Sequence, residues 1–327
     1  MKLRDTLGLT FDDVLLVPKR SSVASRTAVT TTGRLTRRLS LALPIISANM
    51  DTVTEAGMAI AMAQLGGLGA IHRFMSSERQ AAEVLRVKRA ESYIVEQPET
   101  VPPAMTVAAA RALMETSGIG GLLVVDAAGQ LLGLVTTRDV LFAPDPLAAV
   151  ESVMTPRARL VSAPSGISLE AAQRLLHEHR VEKLPLLDEA GRVVGLITAQ
   201  DIVKLQRHPA ATKDAKGRLR VGAAVGVRPA DLERAALCVG AGADVLIVDI
   251  AHGHSDHALN MVRDLKRRFP HTEVIAGNVA AADGVRALAD AGADAVKVGV
   301  GSGSICITRQ VTGFGVPQLT AILDCAE

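Results

Sequence analysis

One stretch of the chain concentrates residues able to do covalent chemistry: Val298-Gly299-Val300-Gly301-Ser302-Gly303-Ser304-Ile305-Cys306-Ile307-Thr308-Arg309. Glycines at 299, 301 and 303 free the backbone to turn with positive φ and let a ligand approach the main chain. A cysteine delivered by such a loop is a candidate nucleophile, because thiolate is the most nucleophilic side chain near neutral pH. A structural cysteine beside a glycine-rich turn has the same spacing, and a lone motif does not separate the two. Lys297, in the apolar run before the loop, points to the opposite face from Val296 and Val298. It is either a Schiff-base lysine of a lyase or a buried lysine paired with an inward aspartate. His252, His254 and His257 could resemble a metal cluster, but no helical carboxylate-histidine motif accompanies them.

These residues need elements to hold them. Apolar runs predict strands at 43–48, 66–71, 221–226, 244–249, 273–279 and 294–300. Helical spacing predicts helices at 55–65, 230–240, 257–269 and 282–291 between them. Strand and helix in alternation give an α/β fold with a parallel sheet. Polar residues gather where the strands end, at Asp249, Asn278 and the 299–306 loop, which is where barrels and doubly wound sheets place their sites. After Arg207 a linker of small and charged residues runs to about Arg220.

An internal repeat interrupts the series. Residues 105–139 superpose on 167–201 at an offset of 62 without a gap. Gly133-Leu134-Val135-Thr136-Thr137-Arg138-Asp139 matches Gly195-Leu196-Ile197-Thr198-Ala199-Gln200-Asp201. Two copies are too few for a solenoid, but they can pack about a pseudo-twofold axis. In each copy a strand ends in Thr-x-x-Asp before a helix. On local sequence this reads first as a capping pair; an aspartate placed for ribose hydroxyls is the sharper and compatible reading.

Composition narrows the class. The 327 residues are 48% hydrophobic with no Trp, one Tyr and five Phe, so the core is aliphatic, as suits parallel strands under helices. A net charge of +2 without basic blocks or interleaved aromatics argues against nucleic acid. The charged start is unlike a signal peptide, and no apolar run approaches the ~18 residues of a membrane span. Three cysteines (Cys238, Cys306, Cys325) make no disulfide framework, so a reduced, cytoplasmic protein is expected.

Several segments together resemble the family of inosine-5′-monophosphate (IMP) dehydrogenases and guanosine-5′-monophosphate (GMP) reductases, with the dehydrogenases favoured. They are Leu9-Thr10-Phe11-Asp12-Asp13-Val14-Leu15-Leu16-Val17-Pro18, Ala48-Asn49-Met50-Asp51-Thr52-Val53-Thr54, Asp249-Ile250-Ala251-His252-Gly253-His254-Ser255, Gly277-Asn278-Val279 and the cysteine loop. The repeat resembles a tandem pair of cystathionine-β-synthase (CBS) type domains, which the dehydrogenases usually carry and the reductases usually lack. The resemblance implies a (β/α)8 TIM barrel over 1–92 and 208–327, holding strands 1–2 and 3–6, with the CBS pair at 93–207. It implies NAD-dependent oxidation of IMP to xanthosine monophosphate through a thioimidate on Cys306, with Thr308 assisting.

By the same resemblance Ser304 meets the nucleotide phosphate, and Ala48 and Met50 line the purine. Asp249 holds the nicotinamide ribose, and Gly299, Val300 and Gly301 line the dinucleotide. Carbonyls of Gly301, Gly303 and Cys306 bind potassium. Thr136, Asp139, Thr198 and Asp201 take a regulatory nucleotide, ATP or GTP, and the complete protein is a homotetramer. Only six of eight βα units are counted, so the chain is expected to be a fragment or a truncated product, with GMP reductase or a non-catalytic nucleotide sensor as the other readings.

Overall fold

Six aliphatic segments pair in one parallel sheet of the computed structural model, which describes residues 6–206 and 208–327. They are β1 (Ile46–Ser47), β2 (Leu68–Ile71), β3 (Val221–Val225), β4 (Val245–Asp249), β5 (Glu273–Val279) and β6 (Ala295–Val298), and their order across the sheet is their order along the chain. Parallel neighbours need crossover connections, and helices supply them. The helices are α1 (Ala56–Gln64), α2 (Ser77–Ala90), α3 (Pro229–Gly240), α4 (Asp256–Arg268) and α5 (Ala282–Asp290), followed beyond β6 by α6 (Thr308–Thr312) and α7 (Gln318–Ala326).

Side chains alternate across the strands, and both faces are covered. Leu246, Val248, Val274 and Ala276 face a layer of helices, packing with Val262 and Leu265 of α4 and Leu288 of α5. Val245, Ile247, Ile275, Leu68 and Ala70 face the other way and pack on Leu39 and Leu41. Leu41 belongs to a short antiparallel ladder, Gly33–Arg34 with Ser40–Leu41, and Leu39 immediately precedes it. Each fully buried Leu or Ile in these layers contributes about 1.5–3 kcal/mol relative to exposure. Gly69 is required for one close approach: a Cβ there would stand 2.2 Å from Ala59 Cα of α1.

The sheet curls. Asn49, just after edge strand β1, lies with its Oδ1 3.3 Å from Nζ of Lys297 on the opposite edge strand β6. This is an α/β fold with a curled parallel half-barrel sheet, of the TIM-barrel type.

The segment read as a linker is in part firmly packed. Thr212 and Leu219 are buried, Thr212 N–H donates to Ala63 O (2.8 Å), and Lys213 bridges Leu219. Its Asp214 joins an ion cluster at the N-terminal end of the sheet. Lys88 of α2, with a side chain 2% exposed, lies 2.9 Å from Asp214 Oδ2 and 3.0 Å from Asp244 Oδ2. Asp244 Oδ2 also accepts from Val221 N–H at the start of β3 (2.9 Å). Burial is the largest influence on both carboxyls. It leaves Asp244 above the usual carboxylate range, whereas in Asp214 the hydrogen bonds and charges of Lys88 and Arg218 outweigh it and hold the group below.

The chain divides into two compact units. One comprises Met1–Ala90, Ala210–Asp214 and Arg218–Glu327; the other comprises Glu91–Pro209 and Ala215–Gly217. The second unit carries the repeat, and the repeat governs its pairing. Strand Gly121–Val125 pairs antiparallel with Leu131–Thr136, and Lys183–Leu187 with Val193–Thr198. Leu122↔Val135 recurs as Leu184↔Ile197, and the bulge between Val124 and Val125 recurs between Leu186 and Leu187. The halves meet through reciprocal bonds, Leu131 N–H to Gly191 O (3.2 Å) and Val193 N–H to Gly129 O (3.1 Å). Each bond is the other's image at the repeat offset, so the halves are related by a pseudo-twofold. Leu123, Leu131, Leu134 and Leu187 fill the seam.

Both Thr-x-x-Asp segments form caps. Thr136 N–H and Oγ1–H each donate to Asp139 Oδ2 (2.7 Å). Thr198 Oγ1–H donates to Asp201 Oδ2 (2.5 Å), and Asp201 N–H returns to Thr198 Oγ1 (3.2 Å).

Candidate active site at the C-terminal rim of the sheet

All six strands are parallel, so the residues that follow their C-terminal ends share one rim. Asn49 follows β1, His72 follows β2, Asp249 ends β4, Asn278 is the penultimate residue of β5, and the cysteine loop follows β6. In parallel α/β sheets this rim is where ligands bind.

The cysteine loop is shaped by its glycines. β6 stops at Val298 because the chain turns at Gly299, whose φ is +137°. Gly301 has φ +69°, and a Cβ there would stand 2.8 Å from Arg309 Cγ, so only glycine fits. Gln318 of α7 pins the strand end, donating from Nε2 to Val298 O (3.0 Å). Gly299 N–H donates to Val279 O (2.7 Å), and Cys306 N–H to Gly303 O (3.0 Å), closing the turn that presents the thiol.

Cys306 is exposed, whereas Cys238 is buried. Thr308 Oγ1 lies 3.2 Å from Cys306 Sγ, and hydrogen bonds from the Thr308 hydroxyl and backbone N–H, with a smaller contribution from the Arg309 charge, hold the thiol below its ordinary range. Burial pushes Cys238 the other way, up to about 11. A thiol that ionises readily and faces solvent can attack an electrophile and later leave.

A second cluster faces the same rim. Lys297 Nζ lies 2.7 Å from Asp249 Oδ1, and Asn49 Nδ2–H donates to Asp249 Oδ2 (2.9 Å). The expected pairing of Lys297 with an inward aspartate therefore exists, but the expected burial does not. The Lys297 side chain is 42% exposed because it stands where the curled sheet opens to solvent. The cluster draws on β1, β4 and β6, so it depends on the curl.

Among the other candidates, Ser304, Ala48 and Met50 are exposed, and Gly299, Val300, Gly301 and Thr308 are half-buried on the same rim. His252 and His254 follow β4 with ring centres 6.5 Å apart. Thr136, Asp139, Thr198 and Asp201 belong to the second unit. Asn49 and His72 had no role from sequence. Their signal was positional: each follows an apolar strand run at its C-terminal end.

Residues 8–327 match the model of the IMP dehydrogenase / GMP reductase domain. The chain is 53% identical over 320 residues to the inosine-5′-monophosphate dehydrogenase of Nitrosopumilus maritimus, covering 98% of this chain and 67% of that protein. It is 50% identical over 320 residues to that of Escherichia coli K12, covering 98% and 65%. The chain thus spans about two thirds of the length of these relatives. Among solved structures it resembles a GMP reductase from Trypanosoma brucei in complex with guanosine 5′-triphosphate, with a TM-score of 0.84 and 48% identity over 98% of this chain and 77% of that one. Fold, cysteine loop and sequence agree: this chain belongs to the IMP dehydrogenase / GMP reductase family.

Proposed function

We propose that this chain carries the chemistry of an IMP dehydrogenase, oxidising inosine monophosphate to xanthosine monophosphate with NAD. The observation that supports this most is the exposed Cys306 thiol, its pKa lowered by Thr308, at the C-terminal end of β6 in a chain half identical to curated dehydrogenases. As thiolate, Cys306 Sγ bonds to C2 of the hypoxanthine ring. The electron pair of the C2–H bond departs with its hydrogen as hydride, leaving a thioimidate on Cys306. Water then adds at C2, the C–S bond breaks, and xanthosine monophosphate leaves with the thiolate regenerated and one proton released to solvent. NAD supplies the hydride acceptor.

The residues present fit these groups. Each Asp249 carboxylate oxygen accepts one hydrogen bond, from Lys297 or Asn49, and keeps lone pairs for the nicotinamide ribose hydroxyls. Gly299, Val300 and Gly301 line the dinucleotide, Ser304 meets the nucleotide phosphate, and Ala48 and Met50 line the purine. Carbonyls of Gly301, Gly303 and Cys306 form an all-oxygen donor set suited to potassium; Gly303 O accepts from Cys306 N–H and retains a lone pair. The Thr308 hydroxyl steadies the thiolate and assists the proton's departure.

The 93–207 segment is proposed as a tandem CBS pair between barrel parts 1–92 and 208–327, binding ATP or GTP through Thr136, Asp139, Thr198 and Asp201. The complete enzyme is proposed to be a cytoplasmic homotetramer with eight βα units. Exposed Leu15, Leu16 and Val17 give it apolar surface to cover, and no described helix is long and apolar enough to cross a membrane. GMP reductase is the second reading, favoured by the solved reductase neighbours.

NADH appearance with IMP and NAD, absent in Cys306→Ala, tests the proposal. Oxidation of a reduced nicotinamide cofactor by GMP, with no NADH from IMP, would favour the reductase.

A further inference from the structure

His72 is a buried side chain with unused bonding capacity. It follows β2 and is 1% exposed. Its Nδ1 accepts from Phe74 N–H (3.1 Å), which places the ring hydrogen on Nε2. That Nε2–H is buried without a hydrogen-bond partner among the described residues. A buried donor left unpaired is costly and rare, so its surroundings call for explanation. Two carboxylates stand just out of reach, Glu55 Oε1 at 3.5 Å and Asp51 Oδ1 at 3.6 Å. Glu55 is already engaged by Arg79 Nη2 at 2.9 Å. Among the described residues Asp51, 65% exposed, accepts a local bond from Thr52 N–H to Oδ1 (2.9 Å) and no other.

Both carboxylates belong to the chain that leads from β1 into α1. The base of that segment is fixed: Thr54 is fully buried and donates from Oγ1 to Ala48 O (2.6 Å), and His72 N–H donates to Thr54 O (3.3 Å). At its tip Met50 O accepts from Val53 N–H (3.2 Å) and Thr54 N–H (3.3 Å), the Met50 and Asp51 side chains are exposed, and Thr52 sits at φ +60°, a region β-branched residues avoid. The exposed Asp51 carboxylate, 3.6 Å from Nε2, needs a shift of under ~1 Å to reach hydrogen-bond distance of the histidine. Site hydrogen bonds that are long in the free protein often tighten when ligand binds.

We propose that His72 is the positioning residue of the 49–54 loop, its buried Nε2–H taking Asp51 as the loop closes over a bound purine nucleotide. The proposal rests on the reading of this rim as the nucleotide site. His72 touches no substrate; it acts through Asp51 and the backbone that carries Asn49 and Met50.

Hydrogen exchange of the 49–55 amides, with and without IMP, and calorimetric IMP affinity test it in the full chain. His72→Asn keeps an acceptor near Nδ1 and removes the Nε2 donor, whereas His72→Gln returns a donor to the Nε2 position. His72→Asn should lose the protection that IMP confers on 49–55 and bind IMP roughly tenfold more weakly, as for a lost buried hydrogen bond to a charged group. His72→Gln should recover most of both. Asp51→Ala should reproduce the loss, and combining it with His72→Asn should add little. Asp51→Ala alters an exposed side chain, so it decides the matter even if substitutions at 72 unfold the protein. Unchanged protection and affinity in Asp51→Ala, or losses that simply add, would overturn the role of His72. Failure of the unaltered chain to bind IMP would instead overturn the nucleotide reading.

Discussion

The two ends of the sheet each carry a lysine between polar partners, and they differ in burial. At the N-terminal end Lys88 is 2% exposed and sits between Asp214 and Asp244, themselves 13% and 11% exposed. At the C-terminal end Lys297 is 42% exposed and meets Asp249, 25% exposed, and Asn49. The same pair chemistry therefore serves two ends differently. A buried lysine between two carboxylates cannot be removed without stranding charge, so it fixes the return of the chain into β3 and β4. An open pair is weak as a staple and available as a binding surface. Stability resides at one end of such a sheet and chemistry at the other.

The largest effect should come from breaking the buried cluster. Lys88→Met removes the buried cation that Asp214 and Asp244 share, leaving them the more exposed Arg218 and Arg220, and should cost about 3–5 kcal/mol in denaturant unfolding. Cys306 should alkylate at an unchanged rate in the remaining folded protein. Lys297→Met should show the reverse: stability altered by less than ~1 kcal/mol, and NAD affinity roughly tenfold weaker by titration as Asp249 loses its orienting partner. Comparable stability losses at both lysines would collapse the contrast.

Asp139→Ala and Asp201→Ala probe the second unit, where each should cost about 0.5–2 kcal/mol through loss of its helix cap. Each should also weaken ATP binding by calorimetry. Affinity unchanged in the double variant would leave the aspartates as caps alone.

The smallest effect is a shift in a pH profile. The lowered pKa of Cys306 keeps its thiolate to lower pH, so its alkylation should switch on at lower pH than for an ordinary thiol. Thr308→Val should move that midpoint upward. Cys238, pushed up to about 11 by burial, and Cys325, raised by burial and by the Asp324 charge, should stay unmodified at neutral pH.

The sheet was legible because apolar runs of strand length alternate with helical periodicity, and β5 has the expected bounds, 273–279. Ends were less legible where backbone chemistry intervenes. The run 43–48 is regular strand only at Ile46–Ser47: Leu43 N–H still reaches Gly66 O (3.0 Å), but Pro44 has no N–H to give and Ile45 N–H turns back to Leu43 O (2.7 Å). The run 294–300 stops at Val298 because Gly299 turns away. The packing of 212–219 escaped notice because polar Thr212 and Lys213 carry no periodicity. Pairing of Lys297 with an inward aspartate could be expected from strand alternation alone. The arrival of Asn49 could not: it is 248 residues distant in sequence, and only the curl brings it there. His72 was invisible as a partner for a different reason: its neighbours Asp51 and Glu55 lie on the β1–α1 segment beside it, but the turn that aims them at the ring carries no periodicity.

The proposed oxidation requires a covalent bond between Cys306 and the purine. Mixing the chain with IMP and NAD, quenching in acid and mapping peptides by mass spectrometry tests this directly. A nucleotide adduct on Cys306 alone, equal in amount to the NADH of the first turnover and absent in Cys306→Ala, is the expected result. NADH formation without an adduct, persisting in Cys306→Ala, would contradict it.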